Sequence, residues 1–204
     1  MDDSIVRTAL DVGANDGGYA GTLVNNGFRV IAIEPVPQMY SHLQQRHRYN
    51  DVLCLNIGLS DKRERLEGVT VLEAWAIGKP GEGGMSPTPN PEIVGTFDVE
   101  LRTMDEVVGK TPIGLIKLDT DGYEFKVLRG GRNTILNWKP PILCEFGCYL
   151  EKLGESPREF VNYIFALGYN VVSMDGQNVF TSWKEIEPQW PKDTTFDVML
   201  MPKL

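Results

Sequence analysis

The chain has little of what bridges sulfurs, binds metals or crosses membranes. Its three cysteines, Cys54, Cys144 and Cys148, include no CxxC pair, which argues against a disulfide framework and a structural zinc site. Its two histidines, His42 and His47, lack metal-site spacing. No apolar run approaches the roughly 18 residues that suggest a membrane span. Met-Asp-Asp-Ser at the start leads into no basic-then-apolar segment, so no signal peptide is read. The expectation is a cytoplasmic protein with no membrane partner.

Positive charge is also short. Twenty Lys and Arg face 28 Asp and Glu, a formal net charge of −8, the wrong sign for a protein that lives on phosphate backbones. Nucleic acid is therefore disfavoured as a partner. The nearest thing to a basic patch, Gln44-Gln45-Arg46-His47-Arg48, reads as the solvated face of a helix.

What is present is the composition of a globular protein, with 42% hydrophobic and 24% charged residues. The 204 residues are too few for two ordinary domains with separate cores, so residues 1–204 are read as one domain. Strand and helix signals alternate: a strand at Thr8 to Val12, a helix at Tyr19 to Asn26, a β-branched strand at Arg29 to Glu34, a helix from Pro37 to about Arg48 and a strand at Val52 to Asn56. From about 66 to 102 two β-like pieces, Val69 to Trp75 and Thr96 to Leu101, flank a segment, Gly78 to Pro91, whose glycines and prolines forbid regular structure. A mobile loop or hairpin beside the active site is the expectation there. A helix at Met104 to Val108, a strand at Ile113 to Asp119, a helix at Tyr123 to Leu128 and a strand at Ile142 to Glu145 come next. The chain closes with a helix at Pro157 to Ala166, capped by Ser156, and strands at Tyr169 to Met174 and Phe196 to Met201. Helical crossovers imply a mostly parallel sheet, with the last two strands pairing antiparallel.

Three clusters carry chemistry. Asp11-Val12-Gly13-Ala14-Asn15-Asp16-Gly17-Gly18 joins the first strand to the first helix, where glycines admit a ligand close to the backbone and a helix start offers free N–H groups. Asn15 stands where a dinucleotide fingerprint wants its second glycine, which counts against a nicotinamide cofactor. Glu34 ends the second strand, where an acid accepts hydrogen bonds from ribose hydroxyls. Lys117 and Asp119 share a strand face by period-two geometry, and converging strand ends bring Glu145 near Asp119. Asp119 and Glu145 are candidates for deprotonating an acceptor or holding a cation, with Lys117 as charge partner. Trp75, Trp183 and Trp190 are candidates for stacking on an acceptor if they face the crevice.

In order along the chain, Asp11 to Gly17, Ile33-Glu34-Pro35, Asn56 to Asp61, Lys117 to Glu124 with Val127 to Gly131, and Pro141 to Glu145 resemble the blocks of the FkbM family of S-adenosylmethionine-dependent methyltransferases. The resemblance implies the α/β class I methyltransferase fold: a Rossmann-like sandwich with a seven-stranded, mostly parallel sheet, one antiparallel strand, and helices on both faces. It implies that Asp11, Gly13, Asn15 and Gly17 hold the methionine part of the cofactor, Glu34 its ribose, and Ser60 and Asp61 the adenine. Asp119 then lies near the sulfonium and the acceptor. The chain departs from the pattern at Asp121, where the family more often has glutamate, and at Thr120, which replaces an aliphatic residue. The expected reaction is O-methylation of a hydroxyl on a small molecule or glycan, a sugar or natural product. Asp119 or Glu145 serves as base, and a divalent cation such as Mg is the less favoured alternative. Two other readings stand beside it: an NAD-dependent oxidoreductase, and a non-catalytic module that keeps the fold for binding.

Overall fold

The computed structural model describes residues 7–72, 77–78 and 93–203. It opens with β1 (Thr8–Val12), α1 (Gly18–Asn25), β2 (Arg29–Ile33), α2 (Pro37–His47) and β3 (Val52–Leu55), an alternation that pairs the three strands in parallel. Period-two patterning decides their faces. In β1 Leu10 and Val12 enter the larger core, while Ala9 enters a smaller one with Val30, Ala32 and residues of α1 and α2. Pro37 begins α2, where a missing N–H leaves no helical bond unmade.

The alternation is then interrupted by β4 (Gly58–Leu59), β5 (Glu64–Leu72), β6 (Ile77–Gly78) and β7 (Ile93–Arg102). These form a second sheet in the order β4-β7-β5-β6, with β5 and β7 antiparallel from Glu64↔Leu101 to Leu72↔Ile93. The expected irregular segment from Gly78 to Pro91 falls almost entirely outside the described residues, as does Trp75. The apolar faces of β5 and β7 meet in a small cluster of Val69, Val99 and Leu101, with Leu66, Phe97 and Tyr123 against it.

α3 (Met104–Val108) starts with a capping box between Thr103 and Glu106. It leads to β8 (Leu115–Leu118), α4 (Glu124–Gly130), α5 (Arg132–Trp138), β9 (Ile142–Gly147), α6 (Tyr149–Lys152) and α7 (Pro157–Ala166). Ser156 caps α7 by accepting from the Glu159 N–H at 3.3 Å. β10 (Tyr169–Ser173), β11 (Val179–Phe180), α8 (Trp183–Ile186) and β12 (Thr195–Pro202) complete the chain.

The main sheet runs β11-β10-β12-β9-β8-β1-β2-β3, and β12 is antiparallel to both its neighbours. It has eight strands, one more than the seven expected, because the two-residue β11 adds an edge beside β10. On the face carrying Leu118 and Phe146, α4 and α7 bury the larger core, where Phe125, Phe146 and Phe160 rings meet at 5.4–5.6 Å. The opposite face carries Asp11 beside its register partner Lys117, and Asp197 opposite Glu145. Polar side chains thus gather at one end of one sheet face.

Candidate active site

A cavity of about 370 Å³ opens at the ends of β1, β2, β8 and β9, and β5 and β7 supply part of its wall. The turn after β1 is rooted by two bonds, with the Gly13 and Ala14 N–H groups donating to the Ile33 carbonyl at 3.0 and 2.9 Å. Gly13 has no room for a side chain, because a Cβ there would run into the Asp119 carbonyl at the end of β8. Its first duty is to let two strand ends meet. Gly17 has φ 88°, a left-handed conformation that favours glycine. It faces α2, with a Cβ there placed 2.7 Å from His47 Nε2, and it does not line the cavity. Asn15, also left-handed at φ 51°, does line it.

Glu34 holds two loops at once. Its Oε2 accepts from the Asn15 N–H and its Oε1 from the Val36 N–H, each at 2.8 Å. Burial raises its pKa against the pull of those bonds. Each oxygen keeps a lone pair for a further donor. Asn56 Nδ2 donates to the carbonyls of Glu34 and Pro35 at 2.9 and 3.0 Å, which fixes the chain just beyond. At Gly58 a Cβ would lie 2.5 Å from Leu101, 3.6 Å from Val99 and 3.8 Å from Pro35. These apolar groups, with Leu66, form a slot beside Glu34. Sequence reasoning missed Leu66, Val99 and Leu101; their alternation signals an apolar face without saying what that face covers. Ser60 and Asp61 do not line the cavity. The Ser60 carbonyl lies against Gly130, and Asp61 pairs with Arg129 at 3.2 Å.

The opposite end is acidic. Lys117 Nζ donates to the Gly13 carbonyl at 2.6 Å and stands 3.6 Å from Asp11 Oδ1 and 3.3 Å from Asp119 Oδ2. The ammonium also lies 5.4 Å from the Tyr19 ring centre. Asp11 is fully buried and its carboxylate makes no hydrogen bond, so the charge of Lys117 is what holds it. Burial raises the Asp11 pKa. Burial alone would lower that of Lys117, but Asp11 and Asp119 outweigh it and keep the amine above its usual value. Lys117 therefore stays an ammonium.

One carboxylate oxygen each from Asp119, Asp121 and Glu145 lie within 4.8 Å of one another. Burial, then the charge of Asp119, pushes Asp121 up to about 7 and Glu145 up to about 8. Asp121 adopts φ 51° in a loop fixed by Glu124, whose buried Oε1 accepts from the Thr120 N–H at 2.7 Å and the Gly122 N–H at 3.2 Å. Trp183 and Trp190 do not line the cavity. The Trp183 and Trp190 rings meet tilted with centres 5.7 Å apart, and the Trp190 ring lies 5.2 Å from that of Phe146 over the larger core. Among the described residues that line the cavity Lys117 is the one cation, against Asp16, Glu34, Asp119, Asp121 and Glu145. Such a balance suits a ligand that brings positive charge.

Comparison with known proteins agrees with this architecture. The profile described as the methyltransferase FkbM domain matches residues 11–171. The crystal structure of the FkbM methyltransferase from Methylobacillus flagellatus KT superposes with TM-score 0.60 at 20% identity, covering 95% of this chain and 43% of that one. The chain thus spans less than half the length of that relative. A candidate S-adenosylmethionine-dependent methyltransferase from Listeria monocytogenes superposes with TM-score 0.51 at 9% identity, covering 100% and 94% of the two chains. No curated protein matches significantly. At these identities the structural likenesses carry the fold, the class I methyltransferase sandwich. The profile, which spans well over half of the sequence, carries the family: this chain belongs to the FkbM domain family of S-adenosylmethionine-dependent methyltransferases.

Proposed function

We propose that this domain transfers a methyl group from S-adenosylmethionine to a hydroxyl oxygen of a small molecule or glycan, with Glu145 as the base. The observation that carries the reading is the polarity of the cavity, a hydrogen-bonded acid and apolar slot at one end and crowded carboxylates at the other. The donor fits that polarity. Asn15 and the turn around it lie against its methionine part, the free lone pairs of Glu34 accept from its ribose, and the slot of Leu66, Val99 and Leu101 takes its adenine. Asp119 faces its sulfonium. Asp11 acts from behind, by keeping Lys117 charged and in place. When bound, S-adenosylmethionine supplies a methyl carbon on a positively charged sulfur that leaves as a neutral thioether.

The protein then has two tasks, alignment and proton removal. Lys117 ties the ends of β1 and β8 together, so Asp119 and the Gly13 turn keep one spacing. Glu145, with a pKa of about 8, is matched to taking a hydroxyl proton near neutral pH as the oxygen bonds to the methyl carbon. Lys117 cannot be that base while it remains an ammonium. The three carboxylates could each lend an oxygen to a divalent cation, but the Lys117 ammonium already sits 3.3 Å from Asp119. We read the reaction as metal-free, and titration with magnesium and with chelator tests that reading.

Isothermal titration with S-adenosylhomocysteine and, separately, NAD, each with magnesium and with chelator, tests the reading. Saturable binding of the homocysteine compound alone, unchanged by magnesium, supports it. A screen of sugars and glycosides, scored by mass gain of a methyl group, then names the acceptor. Binding of NAD instead points to the oxidoreductase. Donor binding with no methylated product across the screen favours the non-catalytic module.

A further inference from the structure

One buried side chain reaches the turn after β1 from outside the cavity. Within Gln44–Arg48, expected to face solvent throughout, four residues do, but His47 is buried. It sits in the last turn of α2, its Nε2 2.8 Å from the Gly17 carbonyl and its Nδ1 3.1 Å from Asn50 Nδ2. A carbonyl only accepts, so Nε2 carries the hydrogen; the Asn50 amide donates to Nδ1, which fixes the neutral tautomer. The ring occupies space that glycines leave open: a Cβ at Gly17 would lie 2.7 Å from Nε2, and one at Gly21 would lie 3.4 Å from Cε1.

We propose that His47 is a positioning residue for the methyl donor, acting through the Gly17 carbonyl on the turn that carries Asn15. Asn15 has a left-handed conformation, which asparagine adopts more readily than other non-glycine residues, and bonds on two sides of the turn hold it there. On the cavity side that constraint is the bond from the Asn15 N–H to Glu34. On the far side it is His47, bonded to the same carbonyl that accepts the first bond of α1 from the Gly21 N–H at 3.0 Å. The turn is thus clamped between an acid at the end of β2 and an imidazole at the end of α2.

The inference rests on the donor-binding reading above, and its test separates the two. His47→Leu removes the donor while keeping apolar bulk, His47→Gln keeps a donor, and Asn50→Ala leaves the imidazole but frees its tautomer. Each full-length variant is titrated with S-adenosylhomocysteine, melted, and followed by amide hydrogen exchange at Asn15 to Gly18. His47→Leu is expected to weaken binding about tenfold and to speed exchange in the turn, with a melting temperature near that of the parent. His47→Gln restores most of both, and Asn50→Ala costs about threefold. Parental binding and exchange in His47→Leu would overturn the proposal, as would losses in all variants that simply track melting temperature. A parent protein that binds no S-adenosylhomocysteine strikes the methyltransferase reading instead. The exchange data then decide the clamp, with faster turn exchange in His47→Leu supporting it and unchanged exchange refuting it.

Discussion

At the β2 end of the cavity Glu34 has each oxygen bonded to a backbone N–H, whereas at the β8–β9 end Asp121 and Glu145 stand among like charges. The first acid is paired before any ligand arrives, so it defines shape. The second group is left electrostatically unfinished, with Lys117 committed to Asp11 and Asp119. A cationic ligand completes the second group and merely occupies the first. The cavity is therefore organised by Glu34 and charged by the cluster.

Lys117→Met attacks the junction between these regimes and has the largest expected effect on stability. It leaves Asp11 buried without a counter-charge, a loss of about 3–5 kcal/mol in urea unfolding, part of which Asp11→Asn in the same chain restores. Equal stability of parent and variant would mean that the Asp11–Lys117 pair holds nothing. Glu145→Gln probes the unfinished end. The methylation rate should fall at least about 100-fold while S-adenosylhomocysteine affinity changes little; a matching loss of affinity would move Glu145 from base to binding group. Glu34→Ala probes the finished end, where two N–H groups lose their acceptor. About 2 kcal/mol of stability and most donor affinity should go together, and affinity surviving that change would break the contrast.

The smallest effect is a drift with pH. Asp121 at about 7 and Glu145 at about 8 hold protons in the folded chain that the unfolded chain, with ordinary values of 3.8 and 4.5, has already released. Over that window the folded state binds more protons, so the contribution of these two groups to stability is fully present below about pH 4, falls as pH rises and is lost through about pH 8. Denaturant midpoints should therefore decline from pH 5 to pH 8. Glu145→Gln should flatten the upper part of that decline, and an unaltered slope would show that the proton is held elsewhere.

Much of this arrangement was legible in the residues. The bounds of α7 follow from Ser156 and the apolar spacing after Pro157, and the meeting of Asp119 with Glu145 follows from two parallel strands ending together. Some short elements were not legible, although the five-residue α3 was. α5 and α6 hold seven and four residues, too few for a helical period to show. The roles of Gly17 and His47 were hidden for another reason. Each is explained by the other, 30 residues apart, and single-residue signals carry no such pairing. The slot-forming leucines and valine of β5 and β7 look like ordinary core until the second sheet is seen to end at Gly58.

Within that second sheet Gly58 and Leu59 of β4 pair with Leu101 and Arg102 of β7. None of its strands enters the ladder of the main sheet. Outside the slot residues Leu66, Val99 and Leu101, a change in β5 or β7 therefore breaks no hydrogen bond of the β1, β2 and β8 ladder.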